Sequence, residues 1–250
     1  MGHLLTLIRN DNSPFEVPGL RMWFDAKDKG SISLNGTTVS QWSDKSGRAN
    51  HATQGTALNQ PKYVANGINN HPALEGKHDG TNPSQLLITD HATLDYTDFE
   101  IFAVAMRVAD TGSSESIGAK YTVTGNQREH LLQIDGGSDK VYISISSNGT
   151  AVTNLGAASA MPLATPFIVN ARFTASDLQQ SINNGTAVTN NAVASIFNGT
   201  SHYTLFSRPT ISDAFAGRIG EYLFYNRVLS SSERRSIASY LSFRWSIAIS

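Results

Sequence analysis

Hydrolysis of a glycosidic bond is the first reaction to compare with the acidic residues of this chain. That reaction needs two carboxyl groups, about 5 Å apart in enzymes that retain configuration, and acidic residues at alternate strand positions meet the requirement. Glu221 stands alone in GRIGEYLFYNR, while Glu75 and Asp79 are separated by the glycine of LEGKHDG. The spacing therefore predicts no catalytic residues and favours a protein that is not an enzyme.

The sequence also gives little support for a metal site, a nucleotide-binding site or a catalytic nucleophile. The seven histidines are dispersed without a His-x-x-x-His pair, and the absence of cysteine excludes disulfides and thiolate metal sites. A G-x-S-x-G nucleophile turn and a phosphate-binding glycine loop are both missing. The net charge is -1 without a long run of lysine or arginine, so nucleic acid is not an expected partner. We expect no cofactor.

Binding by contact is the chemistry that the aromatic and polar residues favour. Sugars are held by aromatic rings against their C–H groups, and by amides and charged groups that hydrogen-bond to their hydroxyls. Two segments have this composition, NQPKYVANGINNHP and AKYTVTGNQREH, and we expect both to be surface loops. The candidate ligand-binding residues are Tyr63, Asn66, Asn70 and His71 in the first segment, and Tyr121, Asn126 and Arg128 in the second.

The triplet Asn-Gly-Thr occurs four times, beginning at Asn35, Asn148, Asn184 and Asn198. Each copy matches the acceptor for N-linked glycans. Asn and Gly also tolerate positive φ, and Asn-Gly is the preferred centre of a two-residue hairpin turn. Alternating apolar residues flank the copies in VYISISSNGTAV and LQQSINNGTAV, so we favour turns over glycosylation.

Short runs with β-type alternation must position these residues. FEIFAVAMRV is the most apolar run and predicts a central strand, and TPFIVNARFT places Phe167, Val169, Ala171 and Phe173 on one face. Similar runs recur along the chain, with turn residues rather than helices between them. The pattern predicts an all-β fold, an antiparallel β-sandwich.

The first residues differ in character from the rest of the chain. Pro14 and Pro18 favour an extended N-terminal arm over residues 1–19, which could pack on a neighbouring chain. Residues 20–250 are then expected to form one domain. The N-terminal apolar run is interrupted by Arg9 and lacks a small-residue cleavage site, so no signal peptide is expected, and no segment is long enough to span a bilayer.

One amphipathic helix is predicted near the C terminus. Ser230 and Glu233 form a capping box, in which each side chain accepts a hydrogen bond from the backbone of the other residue. Residues at three- and four-residue spacing then form an apolar face that should pack on the sheet. The apolar face consists of Ile237, Tyr240, Leu241 and Trp245, and the opposite face consists of Arg234, Arg235 and Ser239.

The chain resembles a known family in several stretches. LRMWFDAKD, VSQWSDKSGRANHATQ, PALEGKHDG and FAGRIGEYLFYNRVLSSSERRSIASYLSFRWSI are similar to laminin G-like jelly-roll domains of the concanavalin A-like lectin/glucanase superfamily, in particular to the bacterial and phage version. The resemblance covers roughly residues 19–248, and the closing stretch is its most specific part. It implies a concanavalin A-like jelly roll with one short C-terminal helix.

The residues that carry the resemblance have structural explanations. Tryptophans beside alternating strands are expected in the core, aspartates before a turn are expected to cap it, and a Tyr-Asn pair before the helix can satisfy turn carbonyls. These residues are, in the same order, Trp23, Trp42 and Trp245, then Asp44 and Asp79, then Tyr225 and Asn226.

The resemblance makes calcium binding a candidate property, since laminin G-like domains often bind the ion through aspartates at a sheet rim. Calcium takes six to eight oxygen ligands. The aspartates here are scattered, without a compact acidic loop, at Asp25, Asp28, Asp44, Asp79 and Asp135. The sequence permits a calcium site without locating one.

The resemblance implies a non-catalytic phage virion protein, either a capsid decoration or fibre protein or a tail-associated receptor-binding protein. Such a protein is assembled in the bacterial cytoplasm and is commonly oligomeric, so we expect a trimer or another closed ring. The expected partners are other virion proteins and host-surface polysaccharide, and insertion into a membrane is not expected. Two alternatives stay open: a polysaccharide-degrading glycoside hydrolase, and a carbohydrate-binding module of a bacterial surface protein. Turnover that depends on Glu75 or Glu221 would favour the hydrolase.

Overall fold

The computed structural model describes residues 13–175 and 177–250, and most of the predicted arm, residues 1–12, lies outside this range. The described residues have the predicted all-β fold, in which every strand pairing is antiparallel and one helix follows the last strand. The elements are β1 (Leu20–Asp25), β2 (Ile32–Asn35), β3 (Thr38–Trp42), β4 (Ala52–Thr53), β5 (Lys62–Ile68), β6 (His71–Glu75), β7 (Leu86–Ile88), β8 (Phe99–Arg107), β9 (Glu115–Thr122), β10 (Gln127–Ile134), β11 (Lys140–Ile145), β12 (Thr153–Ala160), β13 (Phe167–Thr174), β14 (Asp177–Ile182), β15 (Val188–Asn190), β16 (Tyr203–Leu205), β17 (Gly217–Tyr225) and α1 (Ser231–Trp245).

The strands form two stacked layers, which makes the fold a β-sandwich of jelly-roll type. The helix-side sheet has the order β15, β14, β13, β8, β17, and beyond β17 it continues with β1 along residues 221–225 and with β6 and β5 along residues 218–219. The front sheet has the order β12, β11, β10, β9, β16, β7, β4, β3, β2. The pair Thr38 and Lys62 joins the two sheets at one edge.

Strands β8 and β17 lie at the centre of the helix-side sheet. The run predicted to be central is β8, and it is buried along its whole length because one face meets the front sheet and the other meets α1. Along β17, Tyr222 and Phe224 point to the front sheet, where their rings lie 6.2 Å from Tyr203 and 6.0 Å from His130. Glu221, which directly precedes Tyr222, points to the opposite face of the strand, toward the helix.

Helix α1 begins with the predicted capping box. Ser230 Oγ accepts a hydrogen bond from the Glu233 N–H, and the Glu233 carboxylate accepts one from the Ser230 N–H at 2.8 Å. Ile237, Leu241 and Trp245 are buried against the sheet. In the part of the chain that the structure describes, no helix has the length and apolar character needed to cross a membrane.

Arg234 does not lie on the solvent side of the helix, where the helical pattern placed it. Its guanidinium pairs with the fully buried carboxylate of Glu100 on β8 at 2.6 Å. Glu100 also accepts hydrogen bonds from the Leu229 N–H at 2.8 Å and from the Asn170 amide at 2.8 Å. The helix therefore lies close enough to β8 for a long side chain to reach beneath it, which a helical wheel does not reveal.

Three of the four Asn-Gly-Thr copies form turns in the described residues. The copy at Asn35 closes the β2–β3 hairpin, and Gly36 has a φ of 65°. The side chain of Asn148 caps its own turn, and Asn184, with a φ of 56°, turns the chain after β14. Asn198 lies in an irregular segment between β15 and β16. Turns therefore account for most of the repetition, but the expected two-residue hairpin centred on Asn-Gly is not formed: the central residues are Gly36 and Thr37 in the first copy and Asn183 and Asn184 in the third, and Asn148 lies in the longer loop between Ile145 and Thr153.

Residues 13–19, at the end of the predicted arm, lie against the sandwich. Ser13 caps a 3-10 turn over Pro14–Glu16, and a proline is tolerated there because the first helical N–H needs no partner. Pro14 is buried, and its carbonyl accepts a hydrogen bond from the Tyr225 hydroxyl at 3.3 Å. The Asn226 N–H donates to the Gly19 carbonyl at 3.0 Å. These contacts tie the start of the described chain to the end of β17.

Candidate functional site

A buried carboxylate on β17 holds two of the three tryptophans. The oxygens of Glu221 accept hydrogen bonds from Trp23 Nε1 at 2.8 Å, from the Tyr240 hydroxyl at 2.9 Å and from Trp245 Nε1 at 2.7 Å. Trp245 and Trp42 are fully buried, and Trp23 is half-buried. The motif residues of β1, β17 and α1 therefore meet in one hydrogen-bonded cluster that fastens the helix to the sheet.

Asp25 on β1 lies opposite Glu221 in the strand register. Its carboxylate accepts hydrogen bonds from the Lys27 N–H at 3.0 Å, from Lys45 at 2.9 Å and from Arg244 at 2.7 Å. Burial, together with the charge of Asp25, raises the pKa of Glu221 to about 7. Two acids are thus adjacent, but neither side chain is exposed and all four carboxylate oxygens accept bonds from the protein. The pair has no free oxygen to offer a substrate.

The aspartates considered for calcium are engaged in the same way. Asp44 accepts hydrogen bonds from the N–H groups of Trp23, Ser46 and Asn50 at 2.8 to 3.0 Å. Asp79 caps its turn by accepting from the Thr81 N–H at 2.9 Å. The remaining aspartates are held by Lys45, which contacts Asp25 and Asp28, and by Ser138, which donates to Asp135. Across residues 13–175 and 177–250, no three His, Cys, Asp or Glu side chains are placed to hold a metal ion.

The first segment predicted to be a loop is a hairpin. Tyr63 and Asn66 belong to β5 and His71 belongs to β6, because Asn70, with a φ of 61°, allows a tight turn that leaves both flanks free to pair. Tyr63 is half-buried against the core, and His71 lies edge-on to the ring of Trp245 at 5.9 Å. Asn66 and Asn70 are exposed. The segment therefore presents amides to solvent, while its aromatic residues face the protein.

The second predicted loop is also a hairpin, between β9 and β10. Asn126 lies in its exposed turn with a φ of 57°, whereas Tyr121 and Arg128 lie in the strands. The Tyr121 ring is 8% exposed and lies between two guanidinium groups, those of Arg208 at 5.1 Å and Arg128 at 6.0 Å. Arg128 donates to the Thr150 carbonyl at 2.6 Å rather than to a carboxylate among the described residues. Its charge is therefore available to an anion.

The structure places these two candidate groups on different sheets. The hairpin of Tyr63 pairs with β17 in the helix-side sheet, whereas the hairpin of Tyr121 pairs with β16 and β11 in the front sheet. The seven predicted residues thus do not form one site. The second group lies beside a larger surface, the outer face of the front sheet.

Tyr142 on β11 is the aromatic residue of this outer face that sequence analysis did not single out. Its ring lies over Gly156 on β12, since a Cβ atom at Gly156 would be 2.7 Å from Tyr142 Cζ. Gln133 on β10 is the neighbour of Tyr142 on the other side. The alternation of VYISIS places Tyr142 on the polar face of its strand, which is the signal that could have identified it.

Buried residues lie between Tyr121 and Tyr142 on this face. Ala119, Leu131 and Ser144 are aligned across three strands and are 0%, 2% and 3% exposed. Tyr121 and Tyr142 are displaced from this row in opposite directions, which puts them roughly 16 Å apart by strand geometry. We call this surface the front face; it comprises Ala119, Tyr121, Arg128, Leu131, Gln133, Tyr142, Ser144 and Arg208.

A separate groove of about 370 Å³ lies near the edge where the two sheets meet. Leu58, which is 63% exposed, forms one part of its lining, and Lys62 and Lys77 contribute ammonium groups. Glu75 also lines it and pairs with Arg218 at 2.6 Å. Of the described residues that line this groove, Glu75 is the one carboxylate, so the groove lacks the second acid that glycoside hydrolysis needs.

Several solved structures share the fold of this chain. The binding domain of Paraclostridial Mosquitocidal Protein 1 is 10% identical with a TM-score of 0.64, over 92% of this chain and 53% of that one. Botulinum neurotoxin type C, whose cell entry is dependent upon interaction with two ganglioside molecules, is 10% identical with a TM-score of 0.61, over 89% of this chain and 51% of that one. Trypanosoma rangeli sialidase, in complex with the inhibitor DANA, is 13% identical with a TM-score of 0.60, over 87% and 32%.

At these identities the likeness concerns the fold. The chain spans about half the length of the toxin chains it matches. Comparison with protein-family models and with curated proteins finds no match.

Proposed function

We propose that this chain is a non-catalytic glycan-binding module and that the front face is its binding surface. The observation that carries the proposal is Tyr142, whose ring lies over Gly156 on the sheet face that α1 does not cover. An aromatic ring in this position offers its outer face to the C–H groups of a sugar, as in other protein contacts with amphipathic ligands. Gln133 beside it supplies an amide for hydroxyl groups.

The charges of the front face favour an acidic glycan. Arg128 uses its guanidinium on backbone carbonyls, so a carboxylate-bearing sugar would meet its positive charge at this end, whereas the charge of Arg208 is paired with Asp213. The separation of Tyr121 and Tyr142, roughly 16 Å by strand geometry, suits an extended chain better than a single sugar. Ganglioside dependence of a toxin with the same fold supports glycan binding on such a scaffold.

The biological setting that we propose is a phage virion. The four laminin G-like stretches, similar to the bacterial and phage version of that domain, support this assignment, and the partner would be an acidic polysaccharide of the host surface. The chain would then act as a capsid decoration, fibre or tail-associated protein and assemble as a trimer or another closed ring. Repetition of one weak site in a ring raises avidity without any new contact.

Binding to immobilised polysaccharide tests the proposal. Capsular polysaccharide, lipopolysaccharide, and sialylated and neutral oligosaccharides serve as probes. We expect Tyr142→Ala to weaken binding at least about tenfold, equivalent to 1.4 kcal/mol, and Arg128→Gln to weaken binding of the acidic probes alone. Phe243→Ala, which removes a ring that is 84% exposed on α1, is the matched control and should bind as the parent does.

Two results would contradict the proposal. Loss of binding in Tyr63→Ala but not in Tyr142→Ala would move the site to the β5–β6 hairpin. Release of reducing ends from any of the polysaccharides, abolished by Glu75→Gln or Glu221→Gln, would instead favour the hydrolase and refute a purely binding role.

A further inference from the structure

Lys120 on β9 is a lysine with no exposed side-chain surface. Its Nζ lies 3.1 Å from Oδ1 of Asp90 and 3.0 Å from Oε2 of Glu129, and it donates a hydrogen bond to the Leu94 carbonyl at 3.1 Å. Glu129, on the neighbouring strand β10, is also buried. An amine is thus enclosed with two carboxyl groups in contact with its nitrogen, inside the sandwich rather than at its surface.

The pairing within this group is incomplete. Oδ1 of Asp90 and Oε1 of Glu129 are buried and have no hydrogen-bond donor of acceptable geometry. Because Oδ1 of Asp90 is 3.1 Å from Nζ and is bonded to Cγ at about 1.2 Å, Cγ lies no more than about 4.3 Å from the nitrogen, against about 3 to 3.5 Å for reacting atoms. Buried polar atoms are ordinarily paired, so these two oxygens need an explanation.

Aromatic residues enclose the group and set its protonation. Nζ lies 5.9 Å from the Tyr96 ring centroid, and the Tyr96 hydroxyl bonds to His130 Nδ1 at 2.5 Å. Burial raises the pKa of Glu129 to about 7 and lowers the pKa of His130 to about 3. At neutral pH both the ionised and the protonated forms of Glu129 are therefore accessible, and the imidazole of His130 is neutral. We call Asp90, Tyr96, Lys120, Glu129 and His130 the Lys120 cluster.

We propose that Lys120 and Asp90 join in an intramolecular isopeptide bond, with Glu129 as the proton carrier. Nζ of Lys120 forms a bond to Cγ of Asp90, and one C–O bond of the Asp90 carboxyl group breaks. A lysine amine buried beside a general acid and base is a competent nucleophile toward a carboxyl carbon.

The reaction balances without any further reactant. The ammonium of Lys120 gives one proton to Glu129, and the nitrogen lone pair then attacks Cγ of Asp90. Glu129 passes that proton to the departing oxygen and carries a second proton from nitrogen to the same oxygen, which leaves as water with the electron pair of the broken bond. Glu129 ends in the state in which it began, and one positive and one negative charge are replaced by a neutral amide.

Asp90 rather than Asp95 is the reacting partner. The Asp95 carboxylate is 3.8 Å from Nζ and 45% exposed, whereas that of Asp90 is closer and 22% exposed. A neutral amide is also easier to bury than an ammonium ion, so burial favours the product. The bond would tie the segment before β8 to β9 in the front sheet.

Intact-protein mass spectrometry on the wild-type chain tests the inference directly. We expect a mass lower than that of the sequence by one water molecule, which persists under denaturing conditions. Trypsin should leave residues 78–107 joined to residues 108–128, without cleavage after Lys120. A full sequence mass, together with free peptides 108–120 and 121–128, would overturn it and leave an ion pair.

Three variants assign the atoms. Asp90→Ala should restore the full mass, whereas Asp95→Ala, the matched control, should still lose one water. Asp90→Asn should form the same amide by losing ammonia, so its final mass should equal that of the linked wild type. Glu129→Gln should slow or abolish linkage while far-ultraviolet circular dichroism shows a folded chain. Linkage in Asp90→Ala would overturn the assignment.

Discussion

Two of the groups of charged side chains that the described residues bury differ in how completely their atoms are paired. In the group around Glu221 and Asp25, every carboxylate oxygen accepts a hydrogen bond from the protein. In the Lys120 cluster, carboxyl oxygens of Asp90 and Glu129 and the Nε2 atom of His130 are buried without a partner. The first group therefore stabilises the fold through these hydrogen bonds, whereas the second holds the amine of Lys120 in contact with the carboxyl group of Asp90.

The position of each group in the sandwich explains this difference. Glu221 lies between the helix-side sheet and α1, where indole and phenol donors from β1 and α1 converge on it. Lys120 lies between the two sheets, where Tyr96, His130 and Tyr203 supply rings more than hydrogen-bond donors. Side chains from a helix layer can donate hydrogen bonds to every oxygen of a buried carboxylate. In an interior of aromatic rings, donors are fewer, and the carboxylate depends on its nearest ionic partner.

Glu221→Gln should produce the largest loss of stability. The amide can accept at one atom only, so its NH2 group would face the N–H or O–H donors of Trp23, Trp245 or Tyr240. We expect the free energy of unfolding to fall by about 3 to 5 kcal/mol, the cost of breaking a buried charged network. Urea denaturation followed by tryptophan fluorescence measures it.

Glu75→Gln is the control for that measurement. Its partner Arg218 is 22% exposed, and an ion pair that is partly exposed to solvent contributes about 1 kcal/mol or less. Equal losses in Glu221→Gln and Glu75→Gln would show that the completeness of pairing around Glu221 does not matter.

The sequence predicts most of the sandwich because its central strands have strong local signals. Strands β8, β13 and β17 are rich in branched and aromatic residues, and the capping box marks where α1 begins. The alternation of β9 and β12 is weak, since ESIGAKYT and TNLGAASA contain glycine, alanine and polar residues. Tertiary pairing rather than propensity makes them strands, which is why the sequence of residues 119–130, at the end of β9 and the start of β10, predicts a loop.

Neither group of buried charges could be predicted in this way. Asp25 and Glu221 face each other only through the register of β1 with β17, which residues so distant in sequence do not reveal. Lys120 stands in a polar stretch, where a lysine is ordinarily solvated. Its burial follows from the stacking of the sheets, so its chemistry becomes visible only in three dimensions.

Asp90→Ala should produce the next largest loss if the linked form is the folded protein. A cross-link between residues 90 and 120 removes loop entropy from the unfolded chain, by about 3 to 4 kcal/mol on the scale used for disulfides. Thermal unfolding of Asp90→Ala and Asp95→Ala should therefore differ strongly. Loss of a buried ion-pair partner would also lower the melting temperature, so the intact mass of the wild-type chain tells the two causes apart. Similar melting temperatures would show that Asp90 stabilises the fold neither through a cross-link nor through an ion pair.

Glu129→Gln should change how stability depends on pH. The folded pKa of Glu129 is about 7 and its ordinary value is 4.5, so between these values the folded chain holds a proton that the unfolded chain has lost. Its contribution is complete below pH 4.5 and declines as the pH rises to 7. Urea midpoints across this range should fall less steeply in the variant. They should not become flat, because burial also raises the pKa of Glu221.

Glu233→Gln should have the smallest effect, and on the opposite side of the pH scale. Glu233 lies at the surface, and its hydrogen bonds to Arg227 lower its pKa from 4.5 to about 2. Its contribution is therefore complete above pH 4.5 and is lost as the pH falls to 2. Since the side chain is 28% exposed, solvent screens the pair, and we expect a loss of about 1 kcal/mol or less at neutral pH. The melting temperature measured as a function of pH, with Glu16→Gln at an exposed position as the control, distinguishes the contribution of Glu233 from those of the buried Glu129 and Glu221. If Glu233→Gln altered the slope between pH 4.5 and 7, burial would not be what distinguishes the acids.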